Sequence, residues 1–297
     1  MHFTSIHDVS RDQVARIYQS VPRFRTRKTD PVLADRHIGL VFEKQSTRTR
    51  VSFEVGIRQL GAHPVMMTAA DMQLSRGESA RDTALVLSRY LDGLILRVNR
   101  HDTVQEFART AAVPVINALS NEEHPCQALS DVYTIMQARN LSRIEDLRTV
   151  KFVYVGDGNN VCVSLMYIAE MLEMPAVFIV PKRFRPSVTA AVTVTDDLAA
   201  VDGAEVLYTD VWVSMGQEAE RELAAADKEE ALGLAQATTD TAKAEVRRKA
   251  ETARTAARKK QDNYGSIARE RVQAAKAAYA RWVHGVEPRP TRIKFIG

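Results

Sequence analysis

Between His37 and Tyr208 the chain alternates short apolar runs with segments of helical spacing, and this limits the fold more than any other feature. The apolar runs are His37–Phe42, Pro64–Met67, Gly93–Val98, Val113–Asn117, Lys151–Val155, Ala176–Val180 and Glu205–Tyr208. Helical spacing falls at 10–20, Val51–Leu60, Ser79–Tyr90, Val104–Thr110, Gln127–Arg139 and about 161–173. Strand and helix in series predict parallel βαβ units. A polar stretch at 140–149 separates two sets of them. The expected fold is therefore α/β: two three-layer domains with parallel sheets, over 1–139 and 150–218.

From Ala219 the texture changes. The 79 residues 219–297 hold 19 alanines and no leucine after Leu234. They carry 17 Lys/Arg against 11 Asp/Glu, while residues 1–218 carry 24 against 26. The net charge of +4 thus belongs to the last quarter, and the body is nearly neutral. Large apolar side chains are too sparse there for a continuous buried stripe. The expectation is a charged, Ala-rich helical or partly disordered tail. A nucleic-acid contact by this basic segment would call for aromatic interleaving or a recognised module, and it has neither.

Other classes fall away quickly. No apolar run reaches the ~18–20 residues of a membrane helix, and the N-terminus MHFTSIHDVSRDQ has no apolar leader segment. Cys126 and Cys162 alone exclude a disulfide scaffold and any multi-cysteine metal site, so a cytoplasmic setting is expected.

Ser46-Thr47-Arg48-Thr49-Arg50 follows the first apolar run and opens a helix. Small hydroxyl residues and free N–H groups at a helix N-terminus suit a phosphate, and arginine forks suit a dianion. The same residues also read as an ordinary N-cap with solvated arginines. GDGNN (156–160) resembles a dinucleotide turn, but Val161 stands where the third glycine belongs. Cys126 has no partner pattern for a nucleophile and reads as a small buried residue.

Context separates these readings. FEKQSTRTRVSFEVG (42–56), QLSRGESARDTALVLSRYLDG (73–93) and PVINALSNEEHPCQALSD (114–131) resemble the carbamoyl-phosphate domain of the aspartate/ornithine carbamoyltransferase family. GDGNNV (156–161) and DVWVSMGQE (210–218) resemble the amino-acid domain of its ornithine branch. The resemblance implies transfer of a carbamoyl group from carbamoyl phosphate to the δ-amine of ornithine, giving citrulline and phosphate. It implies phosphate contacts from Ser46, Thr47, Arg48 and Thr49, and carbamoyl-phosphate contacts from Gln73 and Arg97. His124 and Gln127 match residues that engage the carbamoyl group, and Asn160, Asp210, Ser214 and Met215 match ornithine contacts. No metal or organic cofactor is implied, and a homotrimer is.

The resemblance also has gaps. The family's His-Cys-Leu-Pro segment and its late arginine cannot be placed, since no cysteine follows Cys162. The stretch from Pro181 to Thr195 is short for the family's connection and leaves little room for a helix. Loss of C-terminal βα units would leave an uncovered sheet edge in the second domain. A catalytically impaired carbamoyl-phosphate-binding protein or scaffold is therefore a rival reading, as is putrescine in place of ornithine.

Overall fold

The computed structural model describes residues 1–26, 30–73, 77–209, 243–256 and 293–296. The first half contains α1 (Arg11–Thr26), β1 (His37–Phe42), α2 (Thr47–Gln59), β2 (His63–Thr68), α3 (Ala80–Leu87), β3 (Gly93–Arg97), α4 (His101–Thr110), β4 (Val115–Leu119) and α5 (Pro125–Ala138). Then come β5 (Phe152–Val155), α6 (Asn160–Met171), β6 (Ala176–Ile179), β7 (Thr193–Thr195), β8 (Val206–Thr209) and β9 (Ile293–Ile296). Residues 243–256 are helical. No helix among the described residues is long and apolar enough to cross a membrane.

The strands form two sheets, ordered β2-β1-β3-β4 and β7-β6-β5-β8-β9. Every pairing is parallel, as the alternation predicted. β5 and β8 are buried at every position, which is why their sequences are unbroken apolar runs rather than alternating ones. In each sheet the chain starts centrally, steps outward, then crosses back to the other side of its first strand. The reversals fall between β1 and β3 and between β5 and β8, and the carboxyl ends of such strand pairs are where open α/β sheets bind ligands.

The polar 140–149 stretch is more than a linker. Asn140 ends α5 with φ 53°, and Ile144–Thr149 forms a 3-10 turn that buries Ile144 and Leu147. These two join a core containing Val14 and Tyr18 of α1, Ile135 of α5, Leu165 of α6 and strands β5, β6 and β8. Helices that precede the sequence boundary thus pack on the second sheet.

Two expectations about that sheet meet the structure differently. Between β6 and β7 the only helical piece is the short turn Lys182–Phe184, in keeping with the short Pro181–Thr195 stretch. β7 itself, Thr-Val-Thr, was not anticipated. The uncovered edge is corrected: β9 pairs with β8 from Val206↔Ile293 to Thr209↔Ile296. The 219–297 segment therefore contributes a strand. Its Ile-Lys-Phe-Ile run is too short to stand out beside the charged, Ala-rich composition around it.

Candidate active site

The first reversal point is built by loops that leave β1 and β3 side by side. The Glu43 N–H donates to the Arg97 carbonyl (2.9 Å), and its carboxylate accepts from the Asn99 N–H (2.7 Å) and side-chain amide (3.1 Å). Ser46 then caps α2 with extended backbone, its Oγ accepting from the Thr49 N–H and donating to Thr49 Oγ1 at 2.9 Å. Thr47 and Arg48 are exposed on the first turn of α2. An open groove of about 550 Å³ runs beside this turn, between Phe42, Ser46, Thr47 and Arg50 on one side and Thr68 and Ala69 on the other.

Arg97 ends β3 half-buried, and Nη1 donates to Thr49 Oγ1 at 3.3 Å. Its Nε is buried without a partner, and Arg97 forms no salt bridge with any described residue. Burial alone pulls its pKa down. An uncompensated guanidinium with an orphaned N–H beside a helix N-terminus is a site waiting for an anion.

His124 stands at the N-cap of α5, where Pro125 fits because a first-turn N–H has no helical partner anyway. The His124 N–H donates to Ser164 Oγ of α6 (2.9 Å), and Ser164 Oγ donates to the Glu123 carboxylate (3.1 Å). Burial, then the Arg97 charge, push the imidazole down to about 4, so it is neutral at pH 7. Its Nδ1 is buried and unpartnered. Gln127, one turn on, donates Nε2–H to Asp131 Oδ1 at 2.8 Å. Cys126 is half-buried rather than fully buried; its thiol donates to the Asn117 carbonyl and is pushed up to about 12 by burial. That is no environment for a thiolate.

In the second domain Asn159 caps α6, and Asn160 Nδ2 donates to the Ser120 carbonyl at 2.6 Å. The turn after β5 is thereby tied to the loop after β4. Gly158 is required there, since a Cβ would lie 2.3 Å from the Phe184 carbonyl oxygen.

The structure therefore brings Ser46, Thr49, Arg97 and His124 to one sheet end, with Thr47 and Arg48 on the adjoining turn and Gln127 next along α5. Gln73 sits exposed on the turn after β2, on the side of β1 away from β3. Asp210, Ser214 and Met215 lie outside the described residues; β8 ends at Thr209, at the same sheet end as Asn160. Glu43 and Asp131 escaped the reading of the sequence. Asp131 stands four residues after Gln127, a helical-neighbour spacing that could have found it; Glu43 carries no such signal.

Comparison with known proteins matches the chain in two parts. Residues 1–137 match the family model described as aspartate/ornithine carbamoyltransferase, carbamoyl-P binding domain, and residues 148–280 match the corresponding Asp/Orn binding domain. The chain is 46% identical over 240 residues to the ornithine carbamoyltransferase of Methanopyrus kandleri, covering 74% of this chain and 75% of that one. It resembles the structure of the Pyrococcus furiosus ornithine carbamoyltransferase at TM-score 0.68 and 40% identity, over 74% of each chain. The anabolic ornithine carbamoyltransferase of Campylobacter jejuni matches at TM-score 0.66 and 27% identity, over 94% of this chain and 98% of that one.

Proposed function

This chain belongs to the aspartate/ornithine carbamoyltransferase family, and on that premise we propose that it transfers the carbamoyl group of carbamoyl phosphate to the δ-amine of ornithine. The observation that carries the proposal is the Arg97 guanidinium, without a carboxylate partner among the described residues, hydrogen-bonded to Thr49 at the N-terminus of α2 and close enough to His124 to depress its pKa. In this reading the Ser46–Thr49 turn and Arg97 hold the phosphate dianion. His124, neutral, presents a ring N–H to the carbonyl oxygen, where negative charge develops; one well-aimed donor is worth ~2.7–4 kcal/mol. Gln127 orients the carbamoyl amide. The neutral amine attacks the carbonyl carbon, the new C–N bond forms, the C–O bond to phosphate breaks, and the amine's proton leaves with the phosphate.

The ornithine assignment rests on the curated relatives' names and on the matched Asn160 and DVWVSMG segment. A homotrimer, a cytoplasmic setting and a place in arginine synthesis belong to the same proposal. Exposed Val51 and Val55 on α2 and Leu85, Val86 and Tyr90 on and after α3 supply apolar surface for a subunit contact. As domain limits we propose 1–139 and, from 150, a second domain to which 219–297 contributes β9.

Citrulline formation by the purified chain, beside an Arg48→Ala control, tests the reaction. Activity lost in the control supports it. The absence of a His-Cys-Leu-Pro segment favours a second reading, a protein that binds carbamoyl phosphate without turning it over. Thermal stabilisation by carbamoyl phosphate with no citrulline is the result that would select it.

A further inference from the structure

We propose that Asp131 is a positioning residue: it sets the orientation of the Gln127 amide and ties that side chain to β8. This rests on the reading of Gln127 as a carbamoyl contact. Asp131 is buried on α5 at 5% exposure. One carboxylate oxygen accepts from Gln127 Nε2 at 2.8 Å; the other accepts from the Tyr208 hydroxyl of β8 at 3.1 Å. Tyr208 is itself buried, stacked on Tyr154 with ring centroids 5.8 Å apart, so its hydroxyl has little freedom to move. The carboxylate thus bridges a helix turn next to the phosphate cluster and the strand that leads directly into the Asp210 segment.

The chemistry of the bridge decides which end of Gln127 meets a ligand. An amide is nearly symmetric in shape but not in function: one end donates and the other accepts. Both carboxylate oxygens accept here, so the group captures the NH₂ end of Gln127 and leaves Oε1 for a ligand N–H. A carbamoyl group carries such an NH₂. Without the carboxylate, the half-buried Gln127 amide loses this acceptor and can turn either end toward the substrate.

A double-mutant cycle tests this. Gln127→Ala, Asp131→Ala and the double variant are compared for kcat and KM in citrulline formation, with the folded fraction fixed by circular dichroism. Asp131→Ala should lower kcat as far as Gln127→Ala does, ten- to a hundred-fold, and the double variant should fall no further. Asp131→Asn should recover kcat to within about fivefold of the native chain, because its oxygen still accepts from Gln127 while Tyr208 can reverse and accept. Additive losses, or no recovery with asparagine, overturn the proposal. If Asp131→Ala does not fold, Tyr208→Phe replaces it: its effect on the ornithine KM should be non-additive with Gln127→Ala, and additivity overturns the bridge. If the native chain makes no citrulline, the reaction proposed above is wrong. The Gln127/Asp131 cycle is then read on carbamoyl phosphate affinity by calorimetry, where non-additivity still supports positioning and additivity refutes it.

Discussion

Replacing Arg97 by methionine should separate stability from binding. The guanidinium is half-buried, has no carboxylate partner among the described residues and makes one long hydrogen bond, to Thr49 at 3.3 Å. Methionine removes the charge and keeps much of the stem's packing. The lost hydrogen bond, about 1 kcal/mol, is offset by relief of charge burial. The unliganded chain should therefore melt within about 3 °C of the native one. Binding should respond very differently. Two charge-assisted bonds to a dianion, at ~1.5–3 kcal/mol each, amount to roughly 3–6 kcal/mol, a loss of about 10²- to 10⁴-fold in affinity. The two effects can be read in one assay. At a ligand concentration a hundred times the native Kd, carbamoyl phosphate stabilises the native fold by ~2.7 kcal/mol. A variant weakened a hundred-fold gains only ~0.4 kcal/mol at that concentration. Thermal melts with and without carbamoyl phosphate measure both. A variant that melts many degrees lower yet keeps its ligand shift would show that Arg97 is a structural residue and that the reasoning is wrong.

Other outcomes follow from the same geometry. His124 has a folded pKa of about 4, below the ~6.5 of an unfolded histidine. Its neutral burial therefore contributes stability above pH ~6.5 that is lost as the pH falls toward 4. His124→Asn should flatten urea stability between pH 7 and 5, and an unchanged slope would contradict the assignment. Gly158→Ala forces a shift of the 156–160 turn against Phe184; overpacking of this kind costs about 1–3 kcal/mol, readable by denaturation. Ser46→Ala removes the α2 cap, for about 1 kcal/mol of stability, and should weaken carbamoyl phosphate binding, whereas Ser46→Gly should recover most of the stability but not the affinity. Recovery of the affinity along with the stability in Ser46→Gly would show that the hydroxyl serves the helix alone.

The strands that stand out most plainly in the sequence are those whose burial is complete. Val153, Leu207 and their neighbours are sealed on both sheet faces, so their runs are apolar without interruption. β7 and β9 lie at sheet edges, where only three or four residues pair and threonine or lysine is tolerated. Ser46, Arg97 and His124 are picked out through the family resemblance, since their residue types alone fit an N-cap, a strand-end arginine and a structural histidine equally well. The apposition of Glu43 and Asn99 depends on two loops 56 residues apart. No local pattern encodes that distance. The depressed pKa of His124 is likewise a property of packing, since a histidine before proline is as often exposed.

The pairing of β8 with β9 also sets a timetable. Roughly eighty residues separate the two strands. At about 5–20 residues per second, synthesis of that interval takes on the order of 4–16 seconds. Throughout it, β8 presents an unpaired row of N–H and C=O groups next to an otherwise assembled parallel sheet. That row is the same template on which another chain can add a strand. The contact is non-local, so it also forms late and slowly in refolding. The nascent chain's period of greatest exposure to misassociation thus falls on the strand that leads into the Asp210 segment, while the first sheet is already made.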